Sequence, residues 1–222
     1  HVKRIFDGRS FATRSVECKQ NGNIVFIAQI SYHKKEEDSC VHQSSIPSVS
    51  SPDKCHGFDY ITNYSEAFKE AKYRNKDINN EEIMKIYSFE MRSTDYNRFS
   101  SPGEPTDKHY LWVRYKFPLG DDPRKNSQAL LYMSDSVHNI IVSNPHSRIG
   151  FIPSMSFSLN HTLYIHTPFI NSNDWMLFEY ESTKAGNGRG LSRGRIWSIN
   201  GDMIGSVSQE VIIRTQGEPS KL

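Results

Sequence analysis

Asp135, Ser158 and Gln209 are residues whose types could do chemistry, and Ser158 and Gln209 stand where a sheet should be apolar. Ser158 and Gln209 lie inside strand-like runs, and Asp135 lies just upstream in a helix-like run. A sheet keeps interior polar groups when they are hydrogen-bonded or used for chemistry. A carboxylate, a hydroxyl and an amide can between them accept a proton and make directed hydrogen bonds. These three residues are therefore the place to look for function.

The elements that carry them run from 84 to 215. Residues 84–91 and 110–117 read as strands. Residues 121–143 read as a helix, with Ala129, Met133, Val137 and Ile140 or Ile141 at helical spacing. Four strand-like runs follow, 156–164, 175–181, 190–199 and 203–214, the last two hinged on Asn200-Gly201. Residues 1–33 hold three further strand-like runs, 1–5, 11–16 and 24–32. The last two are joined through Asn21-Gly22, a dipeptide whose residues both accept positive φ and so favour a hairpin.

Residues 34–83 read as a connector, charged and Ser/Pro-rich at first, which crosses a sheet surface in solvent. A short helix is predicted near 64–74, capped by Ser65 with Phe68 and Ala71 on one face. The first and last regions repeat. Gly8-Arg9-Ser10-Phe11 matches Gly188-Arg189-Gly190-Leu191, and Asn21-Gly22 matches Asn200-Gly201, in the same order. The implied unit is a strongly bent antiparallel sheet wrapped on one helix.

The 222 residues suffice for one large domain or two small ones. Aromatics at 12% and a mean hydropathy of -0.63 are those of a folded chain. A net charge of +2 gives no electrostatic case for nucleic acid or an anionic membrane. No apolar run reaches the roughly 20 residues of a membrane span. Cys18, Cys40 and Cys55, odd in number and without Cys-x-x-Cys spacing, read as reduced thiols. The terminal Ser220-Lys221-Leu222 is the peroxisomal import tripeptide, behind a flexible 216–222 tail.

Longer motifs then bring in a family. Residues 157–169, Asp174-Trp175-Met176-Leu177, Arg189-Gly190-Leu191, Gly194-Arg195 and Ser208-Gln209-Glu210 resemble the type II acyl-CoA thioesterases, close to the peroxisomal members. His1-Val2, residues 7–11 and Arg14-Ser15-Val16 resemble that family's first half. The resemblance implies an α+β double hotdog, with a partial first hotdog of strands only at 1–33 and a second hotdog at 84–215. Nothing here matches the family's N-terminal stretch with its first helix, so the expectation is a cut or shortened chain.

The resemblance further implies hydrolysis of fatty acyl-CoA to fatty acid and CoA, with no metal or organic cofactor, in the peroxisomal matrix. The partners implied are the acyl-CoA substrate, the import receptor and other copies of the chain in a homo-oligomer. Asp135 takes the water's proton as general base, while Ser158 and Gln209 hold the water. No Gly-x-Ser-x-Gly surrounds Ser158, so it is read as an orienting group rather than a nucleophile. Arg189, Arg193 and Arg195 are candidates for the CoA phosphates, with solvated strand edges as the plainer reading. His161 and His166 are read as packing or structural hydrogen-bonding residues. Asn160 and Val211 stand where the family pattern has Asp and Gly, and the missing first helix leaves a non-catalytic acyl-CoA-binding or assembly subunit as the alternative.

Overall fold

A computed structural model describes residues 1–57, 88–95, 106–151 and 153–215. The chain divides into two compact units, His1–His42 and Gln43–Leu222. The helix expected near 64–74 and the 216–222 tail lie outside the described residues.

The first unit is an antiparallel sheet of β1 (Val2–Asp7), β2 (Phe11–Gln20) and β3 (Asn23–His33), in that order. Asn21 and Gly22 close the β2–β3 hairpin with φ of 50° and 81°, the two-residue turn whose twist suits the flanking strands. The unit contains no helix, and Val25, Phe26 and Ile27 are exposed.

The second unit is the bent sheet packed on helices that the sequence suggests. Its strands are β4 (His56–Gly57), β5 (Phe89–Ser93), β6 (Lys108–Tyr115), β7 (Met155–Ser158), β8 (Thr162–Ile165), β9 (Met176–Gly186), β10 (Arg189–Ser198) and β11 (Met203–Arg214). They run β4-β5-β6-β9-β10-β11-β7, and β8 also pairs with β11. Helices α1 (Pro123–Ser134) and α2 (His138–Ser147) lie on one face. Asp122 starts α1 by accepting from the Arg124 N–H, with Pro123 in the first turn. Ala129, Leu130, Met133, Val137 and Ile141 then pack on Leu111, Phe178, Tyr180, Ile196 and Val207. Each large apolar side chain so buried contributes about 1.5–3 kcal/mol.

The opposite face is covered by the segment that the sequence left in solvent. Ile46, Val49 and Cys55 pack against Trp112, Leu177 and Trp197. The Trp112 indole N–H donates to the Ser50 carbonyl at 2.8 Å. The Gln43 side chain donates to the Gly201 carbonyl and accepts from the Met203 N–H. The connector crosses the sheet as a strap with its own small apolar core.

Two further expectations need correction. The helix at 121–143 is two helices, interrupted after Ser134. The Ser134 hydroxyl donates to the Leu131 carbonyl and the Ser136 hydroxyl to the Met133 carbonyl, so the side chains compete for helical acceptors there. The strand at 156–164 is likewise two, β7 and β8.

The internal repeat extends to the backbone irregularities. Ile5 of β1 has no opposite number on β2, and neither does Thr183 of β9 on β10. Val25 of β3 is skipped opposite β2, as Ile204 of β11 is opposite β10. The offsets, 183 − 5 = 178 and 204 − 25 = 179, lie within two residues of the 180 and 179 of the sequence motifs. Each such bulge bends and twists its strand. The hairpin turns themselves differ. Only Gly201 has positive φ in the second, and its N–H donates to the Ser198 carbonyl at 3.1 Å.

Close approach makes Gly194 of β10 a sensitive position. A Cβ there meets Tyr180 Cδ1 at 2.8 Å, the Glu179 carbonyl oxygen at 2.9 Å and Val207 Cγ1 at 2.9 Å. Because one of these atoms is backbone, a rotamer change alone gives no relief. Gly194→Ala is expected to lower the unfolding free energy by about 1–3 kcal/mol, read from urea denaturation. An unchanged midpoint would show that the strands can part there.

Candidate active site

A bulge assembles the site. Ser158 pairs with Val211 and Thr162 with Ser208, so residues 159–161 stand opposite only Gln209 and Glu210. The Glu210 N–H is taken up by the Asn160 side-chain carbonyl at 3.1 Å, and the Leu159 N–H reaches the Glu210 carbonyl. One additional residue resets the alternation of faces. Ser158 and His161, an odd number of residues apart, consequently both reach the Gln209 side chain.

The contacts are short. Gln209 is fully buried and its Nε2 donates to Ser158 Oγ at 2.5 Å. Its Oε1 lies 2.6 Å from His161 Nδ1. His161 Nε2 is 3.0 Å from Ser134 Oγ, and His161 Nδ1 is 3.8 Å from Asp135 Oδ1. Ser158 is exposed, and the Asp135 side chain is 55% exposed. The cluster is thus rooted in the core by the amide and open to solvent at the carboxylate and hydroxyl.

The end of α1 fixes Asp135 in place. The Ser134 carbonyl, left open where the helix stops, accepts from the Tyr180 hydroxyl at 3.2 Å and from His138 Nε2 at 2.9 Å. Burial, then the nearby charge of His161, hold His138 down to a pKa of about 3, so it stays neutral. Burial and the Asp135 carboxylate push the Tyr180 phenol far up, and it keeps its proton. Two neutral donors therefore clamp the residue before Asp135.

Hydrogen bonds join Ser158, Gln209 and His161, and the Asp135 carboxylate stands 3.8 Å from His161 Nδ1 without a hydrogen bond to the others. The structure does not bring the arginines there. Ser192 is paired with Gln209 and is buried on the helix side, so Arg189, Arg193 and Arg195 occupy the alternate face. There Arg189 pairs with Glu210 at 3.1 Å and Arg195 with Glu179 at 3.3 Å. Counting outward from Asn200-Gly201 sets Ser192 opposite Gln209, so this separation was open to reading from the sequence. His166 Nε2 meets Ser206 Oγ at 2.8 Å, a structural contact away from the group. His161 is the participant that sequence reasoning passed over. Among the described residues no group of three or more His, Cys, Asp or Glu is placed to hold a metal ion.

Comparison with known proteins supplies the family. The family model described as "Acyl-CoA thioesterase C-terminal domain" matches residues 65–213. The chain belongs to the acyl-CoA thioesterase family. Among its relatives, the mouse protein named acyl-coenzyme A thioesterase 8 is 28% identical, over all of this chain and 69% of its own length. A yeast relative, from Saccharomyces cerevisiae, named peroxisomal acyl-coenzyme A thioester hydrolase 1, is 24% identical over 95% of this chain and 72% of its own. Among solved structures, the acyl-CoA thioesterase II TesB2 of Mycobacterium marinum is similar with a TM-score of 0.74 at 25% identity. That match covers 97% of this chain and 73% of the other. The fold is the α+β hotdog arrangement of these thioesterases.

Proposed function

We propose that this thioesterase hydrolyses fatty acyl-CoA to free fatty acid and CoA with a water that Asp135 activates and that Ser158 and Gln209 hold. The observation that carries the reading is the buried Gln209 amide bonded to exposed Ser158, on the same cluster to which the end of α1 delivers the Asp135 carboxylate. In this scheme the water accepts a hydrogen bond from Ser158 and donates its proton to Asp135 as its oxygen attacks the thioester carbon. The tetrahedral oxyanion collapses, the C–S bond breaks, and the proton passes from Asp135 to the departing CoA thiolate. Helix α2 starts at His138, three residues after Asp135, and the open N–H groups of its first turn suit an oxyanion. A thioester carbonyl is electrophilic enough that positioning supplies most of the remaining acceleration.

Peroxisomal location belongs to the same proposal. It is supported by the yeast relative's name and by the Ser220-Lys221-Leu222 tripeptide, through which the import receptor binds. No helix among the described residues is long and apolar enough to cross a membrane. Assembly into a homo-oligomer is part of the proposal as well.

Thiol release from a series of acyl-CoAs tests the chemistry. Ser158→Ala and Gln209→Ala are each expected to lower kcat by about 10²-fold, through loss of a positioned water. Wild-type turnover in both variants would sink the assignment. Acyl-CoA binding without thiol release by the wild type would instead identify a binding subunit.

A further inference from the structure

The orientation of the Gln209 amide depends on where His161 carries its proton. Gln209 Oε1 can only accept, so its 2.6 Å contact with His161 Nδ1 requires a hydrogen on Nδ1. That hydrogen turns Nε2 of the amide toward Ser158, to which it donates at 2.5 Å. Ser158 then receives one bond from the protein and keeps its own hydroxyl hydrogen free to donate outward. Removing the proton from Nδ1 reverses the chain. The amide turns over, Nε2 donates to the bare ring nitrogen, and Oε1 captures the Ser158 hydrogen. Ser158 would then offer the site lone pairs alone.

Two neighbours favour the first arrangement. The Asp135 carboxylate lies 3.8 Å from Nδ1 and draws the proton to that nitrogen. Ser134 Oγ stands 3.0 Å from Nε2 and can either donate to it or accept from it, because its own hydrogen has an alternative acceptor in the Leu131 carbonyl at 2.9 Å. The Nε2 side is therefore satisfied in either state of the ring, and only the Nδ1 side is selective. The neutral His138 ring packs edge-on against His161, with centroids 5.7 Å apart, and limits the ring to this pose.

We propose that His161 is a positioning residue that, through its Nδ1–H, sets the sense of the Gln209–Ser158 hydrogen bond and so makes the Ser158 hydroxyl a donor toward the attacking water. This rests on the reading of Ser158 and Gln209 as water-holding groups. His161 acts through Gln209, touching neither water nor substrate.

The test uses two near-isosteric replacements in the full-length protein, with thiol release giving kcat and KM. Asn at 161 places an amide N–H near the position of Nδ1, whereas Gln places one near Nε2. His161→Asn is expected to keep kcat within about fivefold of wild type. His161→Gln is expected to lose about 100-fold in kcat, the scale of a misplaced reacting group, with KM within about threefold. Both retain a polar partner for the cluster, and thermal unfolding checks that both fold. Adding His161→Gln to Gln209→Ala should cost nothing further, since the two changes break one relay.

Equal kcat in His161→Asn and His161→Gln would overturn the proposal, as would a double variant at least tenfold slower than Gln209→Ala. Gln209→Ala alone reports separately on the underlying reading. If it retains wild-type turnover, the water-holding assignment fails. If it is impaired while the Asn and Gln variants agree, only the role of His161 fails.

Discussion

Asp135→Asn is expected to lower kcat for acyl-CoA hydrolysis by about 10²–10⁴-fold while leaving KM and thermal stability close to wild type. The size follows from removing a general base, which contributes on that scale. The specificity of the loss follows from the site's construction. Asparagine preserves the shape of the side chain and can still donate or accept hydrogen bonds, but it cannot take a proton from water. The Asp135 side chain is 55% exposed, so its replacement leaves no cavity and strands no buried partner. The clamp on the preceding residue, from Tyr180 and His138 to the Ser134 carbonyl, uses backbone and survives the change. Steady-state kinetics beside a thermal melt therefore separates chemistry from folding. A variant that turns over within threefold of wild type would remove Asp135 from the mechanism and leave a base to be found elsewhere.

Acidification from pH 7 to pH 4 is expected to remove about 3 kcal/mol of folding stability through His138 alone. In the folded protein burial and the charge of His161 hold this ring neutral, with a pKa lowered from 6.5 to about 3. In the unfolded chain it titrates at its ordinary value. Below pH 6.5 the unfolded state therefore binds a proton that the folded state does not take up. The contribution is complete above pH 6.5 and is lost progressively as the pH falls toward 3. His138→Gln keeps an N–H for the Ser134 carbonyl and binds no proton, so its stability should fall less over the same interval. Urea denaturation at pH 7 and pH 4 measures both proteins. Parallel losses in the two would show that other groups drive acid unfolding.

Much of this architecture was open to a reader of the sequence, for identifiable reasons. Strand β11 runs 203–214 as expected, because Asn200-Gly201 marks its start and its faces alternate from 205 to 211. Ser158 and Gln209 stood out because they interrupt apolar runs, and they are in contact. His161 did not stand out for the opposite reason. In an unbroken strand it points away from Ser158, and nothing local announces the extra residue that turns it back. The break after Ser134 was equally hidden, since it depends on Ser134, Ser136, His138 and a tyrosine 46 residues further on. The strap went unread because Ile46 and Val49 are sparse apolar residues in a polar stretch. Their burial depends on two tryptophans that only the fold brings underneath them.

The paired bulges bear on how this polypeptide came to be. Ile5 and Thr183 are β-branched but differ in polarity, Val25 and Ile204 are both β-branched and apolar, and all four interrupt their ladders within three residue pairs of a hairpin turn. The two halves repeat the order of strand, bulge and turn while the spacing differs by one residue, 20 from Ile5 to Val25 against 21 from Thr183 to Ile204. Kinship between the halves of such a chain is better traced by the order of bulges and turns than by matching letters.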